Sequence, residues 1–594
     1  MIYNVDYPLS VLSGIRKNDR AFNPARLKIF GADTETVHGV PYTLQAHDGK
    51  ETLFKYVTAR TIWPEFLNWI VPRMDAGGVN VCYFHNLRFD LRVLFFSRLR
   101  KLYDSNGEFD FTCHGSRVTG VYGRVNFAQV RVESGKSRKI LHILDSALFT
   151  SASFDESLRI FGVDGVKLPL PAGLGDKRLK SAEFEAYAKN DAVQQWKLAK
   201  KIMEFHERYG VRVSVSLSQF ATRVFRHHFL KKKDHIPFPP RGCVKAAELS
   251  YHGGKNDFRL SRPSVVKNCS EADVNSCFVW AMSKLPGFLK GRYEWVNSYE
   301  RGVHGIFLIS GTAPVGRVVL WTHDFKPIHG PFEDIWVTSY ELDEILRQDL
   351  LSRWTCRQGW IWRDASPRNP WQEYAEHFYD LKEKSGKHDP SYSFYKLAGN
   401  GIYGKTVGKV EEIEESISKT PARGYVYDAV RGVFLDRERG FRAMNFYNPF
   451  IGSLITGRSR ALMLSLETRY DSFHTATDSI KTSREVAPKP GLGGWKLEVK
   501  GDCWLFRNKL YLHYDEAGNL KKWATHGFKG GVKLLEERRD ELMRHHHLAY
   551  TYKHVVGLRE GFRRRETPGD FVDRQDVLCV CRGGKCNGKT CHCA

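Results

Sequence analysis

The chain has 594 residues, of which 42% are hydrophobic and 13% aromatic, and it carries a formal net charge of +24. That length is too great for one hydrophobic core and the composition too apolar for wholesale disorder, so several folded domains are expected. No apolar run approaches the roughly 18 residues of a membrane span and no secretory pattern opens the chain, which predicts a soluble, unexported protein.

The basic residues are spread along the whole length and interleaved with 37 Phe, 26 Tyr and 14 Trp. Such a surface attracts phosphate backbones, and its aromatic faces stack on unpaired bases. A nucleic acid is therefore the expected partner, ahead of membranes or acidic proteins.

In chain order, the β-rich runs "LKIFGADTETV", "GVNVCYFHN" and "KILHILDSA" alternate with the helical stretches "WPEFLNWIVPRM" and "SAEFEAYAKNDAVQQWKLAKKIMEFHERYG". This alternation predicts an α/β layer domain ending near residue 213. A basic linker, "KKKDHIPFPPRGC", follows at 231–243, and mixed strand and helix pieces run to about 284. Residues 285–371 are rich in Trp, Gly and Pro and poorly periodic, like an inserted subdomain. Next come a charged helix, "WQEYAEHFYDLKEKSG", and a second helix ending in glycine turns, "SYSFYKLAGNGIYGKTVG". The long helix "GSLITGRSRALMLSLETRY" precedes "FHTATDSI", where Asp478 stands between two hydroxyl residues as a turn former or as half of a metal site.

Seven of twelve cysteines are scattered singly, as reduced thiols usually are, and five crowd the last sixteen residues, "CVCRGGKCNGKTCHCA". Cys579, Cys581, Cys586, Cys591 and Cys593, with His592, form a candidate zinc set whose spacing fits no common finger; a frayed tail is the alternative.

The acids of the first third form a pattern. Asp33 and Glu35 in "ADTETV" are two apart on a strand, so both carboxylates face one side. "YFHNLRFD" places Asn86, Phe89 and Asp90 at the end of another strand, and "YAKND" puts Tyr187 and Asp191 on one helix face. Any one of these is commonplace, since a D-x-E also occurs at 436–438. Together, four acids on strand ends and a helix are what a two-magnesium phosphodiesterase needs, with Tyr187 orienting water and Asn86, Phe89 and His85 placed to hold a frayed strand.

These three stretches resemble the D-x-E, N-x-x-F-D and Y-x-x-x-D motifs of the 3′→5′ proofreading domain of family B DNA polymerases, in the right order and separation. The resemblance implies an RNase H-like domain with Asp33, Glu35, Asp90 and Asp191 as metal ligands and Tyr187 and Lys167 as catalytic partners. It also implies a strand-binding set of Thr36, His85, Asn86, Phe89 and Ser146.

A second group of motifs follows. "EADVNSCFVW" resembles the family's D-x-x-S-L-Y-P, which makes Asp273 and the Val274 carbonyl metal ligands and places Phe278 under the nucleotide sugar. Phe278 keeps the bulk of the usual tyrosine, so sugar selection is expected to survive; Cys277 and Val279 depart from the pattern. "YKLAGNGIYGK" resembles K-x-x-x-N-S-x-Y-G, in which Lys396 neutralises a triphosphate while Asn400 and Tyr403 lie under the incoming nucleotide; Lys384 adds a second phosphate contact. "FHTATDSI" falls where the family carries D-T-D-S, so Asp478 matches the second Asp and Ala476 replaces the first. "NKLYLHY" offers Lys509 and Tyr511 for the primer terminus, and "YHGGKND" offers Tyr251, Gly253 and Gly254 for the template.

The resemblance covers about residues 30 to 515 and implies a mixed α/β and α+β multidomain fold. Its parts are an exonuclease domain (1–213), palm (214–284 and 443–520), a first insertion (285–371), fingers (372–408), a second insertion (409–442), thumb (521–578) and a cysteine-rich tail (579–594). The long Asp273–Lys396 and Tyr403–Asp478 intervals leave room for the two insertions of the protein-primed branch. In that branch the first insertion contacts a terminal protein and the second encircles DNA for strand displacement and processivity. The implied reaction is templated DNA synthesis with proofreading, using two magnesium ions per site with manganese able to substitute. Its partners would be template, primer, deoxynucleotides and a terminal protein, for a monomer working in a host cytoplasm or an organelle. Two other readings are a nuclease or DNA-binding relative whose palm is weakened by Ala476, and a DNA-primed or primer-independent polymerase.

Overall fold

The computed structural model describes residues 14–17, 23–37, 39–98, 108–123, 125–134, 137–165, 167–169, 181–418, 420–421, 426–428, 433–555 and 571–580. They fall into two compact bodies, one made of 1–235 with 377–447 and the other of 236–376 with 448–594.

The first body is built on an eight-stranded sheet of β1 (Leu27–Val37), β2 (Val40–His47), β3 (Thr52–Tyr56), β4 (Val79–Phe84), β5 (Glu108–Cys113), β6 (Ser116–Val121), β7 (Phe127–Ser134) and β8 (Ser137–Asp145). Its order is β3-β2-β1-β4-β8-β7-β6-β5, with β1, β4 and β8 parallel to one another. The parallel centre is buried, which explains the nearly continuous apolar run of β4, whereas the hairpins beyond it alternate. Two helices bring chemistry to the sheet, α1 (Leu87–Leu94) and α2 (Ala182–Arg208). Ser181 caps α2 by accepting a hydrogen bond from the Phe184 amide. α2 lies so close to β1 that a Cβ on Gly31 would sit 2.1 Å from the Trp196 amide nitrogen; only glycine permits that approach.

Also in the first body, helix Pro390–Asn400 stacks Phe394 on Phe205 of α2 at 3.8 Å between centroids, and Arg208 donates to the Tyr395 hydroxyl at 2.8 Å. Strands Lys409–Ser418, Val426–Asp428 and Val433–Ala443 form a small antiparallel sheet after it.

The second body contains a seven-stranded antiparallel sheet and, beside it, a four-stranded one. The larger sheet comprises β9 (Lys255–Phe258), β10 (Ser264–Val274), β11 (His474–Thr477), β12 (Ser479–Thr482), β13 (Trp495–Arg507), β14 (Leu510–Tyr514) and β15 (Leu520–Thr525), in the order β9-β11-β12-β10-β13-β14-β15. It therefore includes residues 521–525, which the sequence reading assigned to a thumb. Residues 285–371, expected to be poorly periodic, form the antiparallel sheet of Arg292–Val296, Ser352–Arg363, His304–Ala313 and Gly330–Thr338, followed in chain order within it by α3 (Ser339–Arg347). Register shifts between Ile309 and Gly311 interrupt the alternation and hide the strands from a period-two reading. Helix α4 (Pro449–Arg469) is buried on most of its surface, and its Leu464 enters the core of this smaller sheet. A hairpin of His547–Val555 and Phe571–Cys579 packs with Leu535 and Leu542 on a third core. Among the described residues no helix is long and apolar enough to cross a membrane.

Candidate active sites

The first body holds a cleft of about 330 Å³ lined by Asp33, Glu35, His85, Asn86, Phe89, Asp90, Lys167, Tyr187 and Asp191 among others. Carboxylate oxygens of Asp33, Glu35 and Asp191 all lie within 4.8 Å of one another. Gly31, two residues before Asp33, brings α2 and hence Asp191 down onto β1. Lys167 Nζ stands 3.8 Å from Asp191 Oδ2, so the lysine that the family resemblance implies lies at this cluster.

Crowding and burial disfavour ionisation here. Glu35 is pushed up to about 8 by burial and by the charges of Asp33 and Asp191, and Asp191 to about 7 by burial and Asp33. Burial also raises Asp33. Tyr187 lines the same cleft, and burial together with the charges of Glu35, Asp191 and Asp33 keeps its hydroxyl protonated. Asp191 Oδ1 is buried with no hydrogen-bond partner. A cluster of hard oxygen donors that Lys167 compensates only in part fits a divalent cation.

One expectation needs correcting. Asn86, Phe89 and Asp90 are not at a strand end: β4 stops at Phe84, Asn86 caps α1 in the left-handed region at φ 63°, and Phe89 and Asp90 are helical. Asp90 is buried and accepts from Thr34 Oγ1 at 2.7 Å, while burial and the Asp33 charge raise its pKa. Thr36 is half-buried at the end of β1. Ser146 has no exposed surface, so it is not a direct strand contact. Its hydroxyl oxygen lies 3.1 Å from the Phe84 carbonyl and 3.0 Å from His85 Nδ1. Burial lowers His85 to about 4, and its Nε2 faces the Ala152 carbonyl at 3.1 Å, so the neutral ring carries its proton there.

The second body brings Asp273 and Asp478 together. Asp273 lies near the end of β10 opposite Ser479 of β12, and the Val274 amide donates to the Asp478 carbonyl at 2.8 Å. Asp478 sits in the reversal between β11 and β12, where Thr477 takes φ 63° and the Asp478 amide bonds back to the Ala476 carbonyl. Burial and Asp478 push Asp273 up to about 7, which suits a pair awaiting a cation. Ala476 is half-buried, opposite Asn256 and Ser479. Gly254 is pressed against this reversal, since a Cβ there would meet Thr477 Cγ2 at 2.6 Å, whereas Gly253 faces open space. Tyr251 is half-buried and Phe278 is buried on the helix that follows Asp273. Lys509 turns β13 into β14 at φ 57°, and Tyr511 is buried with Lys481 Nζ 3.8 Å from its ring centroid.

Sequence motifs missed the ionic group beneath Asp273. Glu271 is fully buried and pairs with Lys481, with Lys522 at 2.6 Å and with His513 Nδ1 at 3.3 Å. Lys522 also pulls the Asp273 pKa down, against its burial. The only sequence signal was the i, i+2 spacing of Glu271 and Asp273; nothing marked Lys522. Cys269, Cys503 and His513 also cluster, but His513 is engaged on both nitrogens, its Nε2 facing the Cys269 carbonyl at 3.1 Å.

Lys384, Lys396, Asn400 and Tyr403 belong to the first body. Lys384 and Lys396 are exposed, and the Asn400 amide donates to the Lys396 carbonyl at 3.0 Å. Tyr403 opens a separate 3-10 turn instead of continuing the helix. Of the candidate zinc ligands, Cys579 ends a strand; Cys581, Cys586, Cys591 and Cys593 lie outside the described residues.

A family described as DNA polymerase type B, organellar and viral, matches residues 180–425. The resemblance to family B DNA polymerases read from the motifs therefore stands, and the fold is one these enzymes share. In particular, phi29 DNA polymerase with primer-template DNA and incoming nucleotide is similar over 93% of this chain and 99% of that one, at a TM-score of 0.67 and 16% identity. The same polymerase with single-stranded DNA is similar over 93% and 100%, at a TM-score of 0.64 and 15% identity. A probable DNA polymerase of Neurospora intermedia is 24% identical over 402 residues, which is 57% of this chain but only 40% of that relative's length.

Proposed function

We propose that the chain is a template-directed DNA polymerase with a separate 3′→5′ proofreading centre, initiating on a terminal protein. The observation that carries the reading is the adjacency of Asp273, near the end of β10, and Asp478, in the β11–β12 reversal, in a fold shared with phi29 DNA polymerase, while a second carboxylate group stands in the other body.

Asp273 and Asp478 would hold the ions of the synthetic site, and Asp33, Glu35, Asp90 and Asp191 those of the degradative site. Bound magnesium or manganese supplies charge neutralisation and a more acidic attacking oxygen. The protein does the rest. On the first body Lys396 and Lys384 are exposed cations of the kind that neutralises a triphosphate, and on the second Phe278 would block a 2′-hydroxyl by bulk. In the degradative cleft Tyr187 stays protonated and donates to the attacking water or the scissile phosphate, while Lys167 offsets the carboxylate charge. Asn86 and Phe89 hold the frayed end. Residues 285–371 would receive the terminal protein, and 409–442 would follow the DNA. The enzyme would act as a monomer in a host cytoplasm or organelle.

A labelled 3′-recessed duplex with magnesium tests this reading. Extension with the four deoxynucleotides and shortening without them are expected. Ala476 favours a second reading, a relative that degrades or binds DNA without extending it, and shortening under both conditions would select that one.

A further inference from the structure

Arg460, on α4, is 1% exposed and donates from all three of its guanidinium nitrogens. Its Nε and Nη2 donate to the two oxygens of Glu341 at 2.6 and 2.8 Å. Its Nη1 donates to the backbone carbonyls of His252 and Gly253, at 2.5 and 2.9 Å. Glu341 is on α3, inside the subdomain of the smaller sheet, where Thr338 Oγ1 donates to its Oε2 at 2.7 Å. The helices can approach because position 457 is glycine: a Cβ there would lie 2.2 Å from Thr338 Oγ1. The same subdomain grips the His252 ring, with Trp321 and Phe325 at 6.0 and 5.0 Å between centroids.

We propose that Glu341 and Arg460 are positioning residues that tie the 292–363 subdomain to the Tyr251–Gly254 segment and, through Gly254 and Thr477, to Asp478. The chain of contacts is continuous. Glu341 orients Arg460, and Arg460 clamps two successive carbonyls of the segment. Gly254 then packs on Thr477, the neighbour of Asp478. Only arginine has donors enough for a bidentate carboxylate and two carbonyls at once. A partner seated on the subdomain would thereby be felt at the synthetic centre.

The activity arm of the test rests on the polymerase reading; the structural arm does not. In the full chain, Glu341→Gln should raise amide hydrogen exchange at 252–254 and KM for primed DNA by about tenfold each, with kcat and single-strand degradation within about twofold. Arg460→Lys should do the same, with thermal melting reporting whether it still folds. The charge swap Glu341→Arg with Arg460→Glu should not restore either readout, because glutamate cannot donate to the two carbonyls. Unchanged exchange in Glu341→Gln, or rescue by the swap, would overturn the proposal. If the wild type extends no primer, the polymerase reading fails while the exchange result still decides this one.

Discussion

The Val274 amide and the Asp478 carbonyl are joined by a 2.8 Å hydrogen bond, although 203 positions separate them in the chain. That bond ties the end of β10 to the β11–β12 reversal and sets the two acids of the candidate synthetic site side by side. Removing either carboxylate leaves the backbone bond intact, so the two acids can be tested with little change of fold.

Asp478→Ala is expected to lower templated extension on the order of a thousandfold while sparing 3′→5′ degradation, because cation binding contributes several kcal/mol to such transition states. Gel assays of one enzyme preparation on primed and single-stranded DNA check both activities. Retained extension would place the synthetic site elsewhere.

The reverse is expected of Asp33→Ala combined with Glu35→Ala, with degradation lost and extension kept. Undiminished degradation of a single strand would refute the exonuclease assignment.

Stability in the presence of a chelator should carry the signature of the raised carboxylates. Glu35, with a folded-state pKa of about 8 against an ordinary 4.5, contributes stability that is fully present below about 4.5 and lost as pH rises through about 8. Glu35→Gln should therefore melt several degrees above the wild type at pH 9 and equally with it at pH 4. Magnesium should reverse the order at pH 9, since it binds the ionised cluster. Parallel melting curves at every pH would contradict the electrostatic account.

Ala476→Asp should leave extension intact or raise it. The position is half-buried opposite Asn256 and Ser479, beside the paired acids, where a third carboxylate would join the proposed cation site. Complete loss of extension would mean the centre is organised around the smaller side chain.

Gly31→Ala should cost about 1–3 kcal/mol and abolish degradation more than extension, because its Cβ would meet the Trp196 backbone and push α2 with Asp191 away from Asp33. Chemical denaturation measures the first effect. A fully stable, degradation-competent variant would show that α2 can shift freely.

Much of the placement of the candidate site residues was legible in the sequence because it obeys local periodicity. Asp33 and Glu35 share a strand face, and Tyr187 and Asp191 a helix face, whatever the rest of the chain does. The order of the motifs likewise carried the fold. Local rules failed at Leu87–Leu94, a two-turn helix that begins soon after β4 ends, and where bulges broke the alternation at 304–338. Only tertiary structure could assign Ser146 to holding His85, bring Lys167 to Asp191, or gather Glu271, Lys481, His513 and Lys522 beneath Asp273. Those contacts join residues tens to hundreds of positions apart. They depend on strand register and on which carboxylates burial leaves in want of a partner, quantities that no window of the sequence contains.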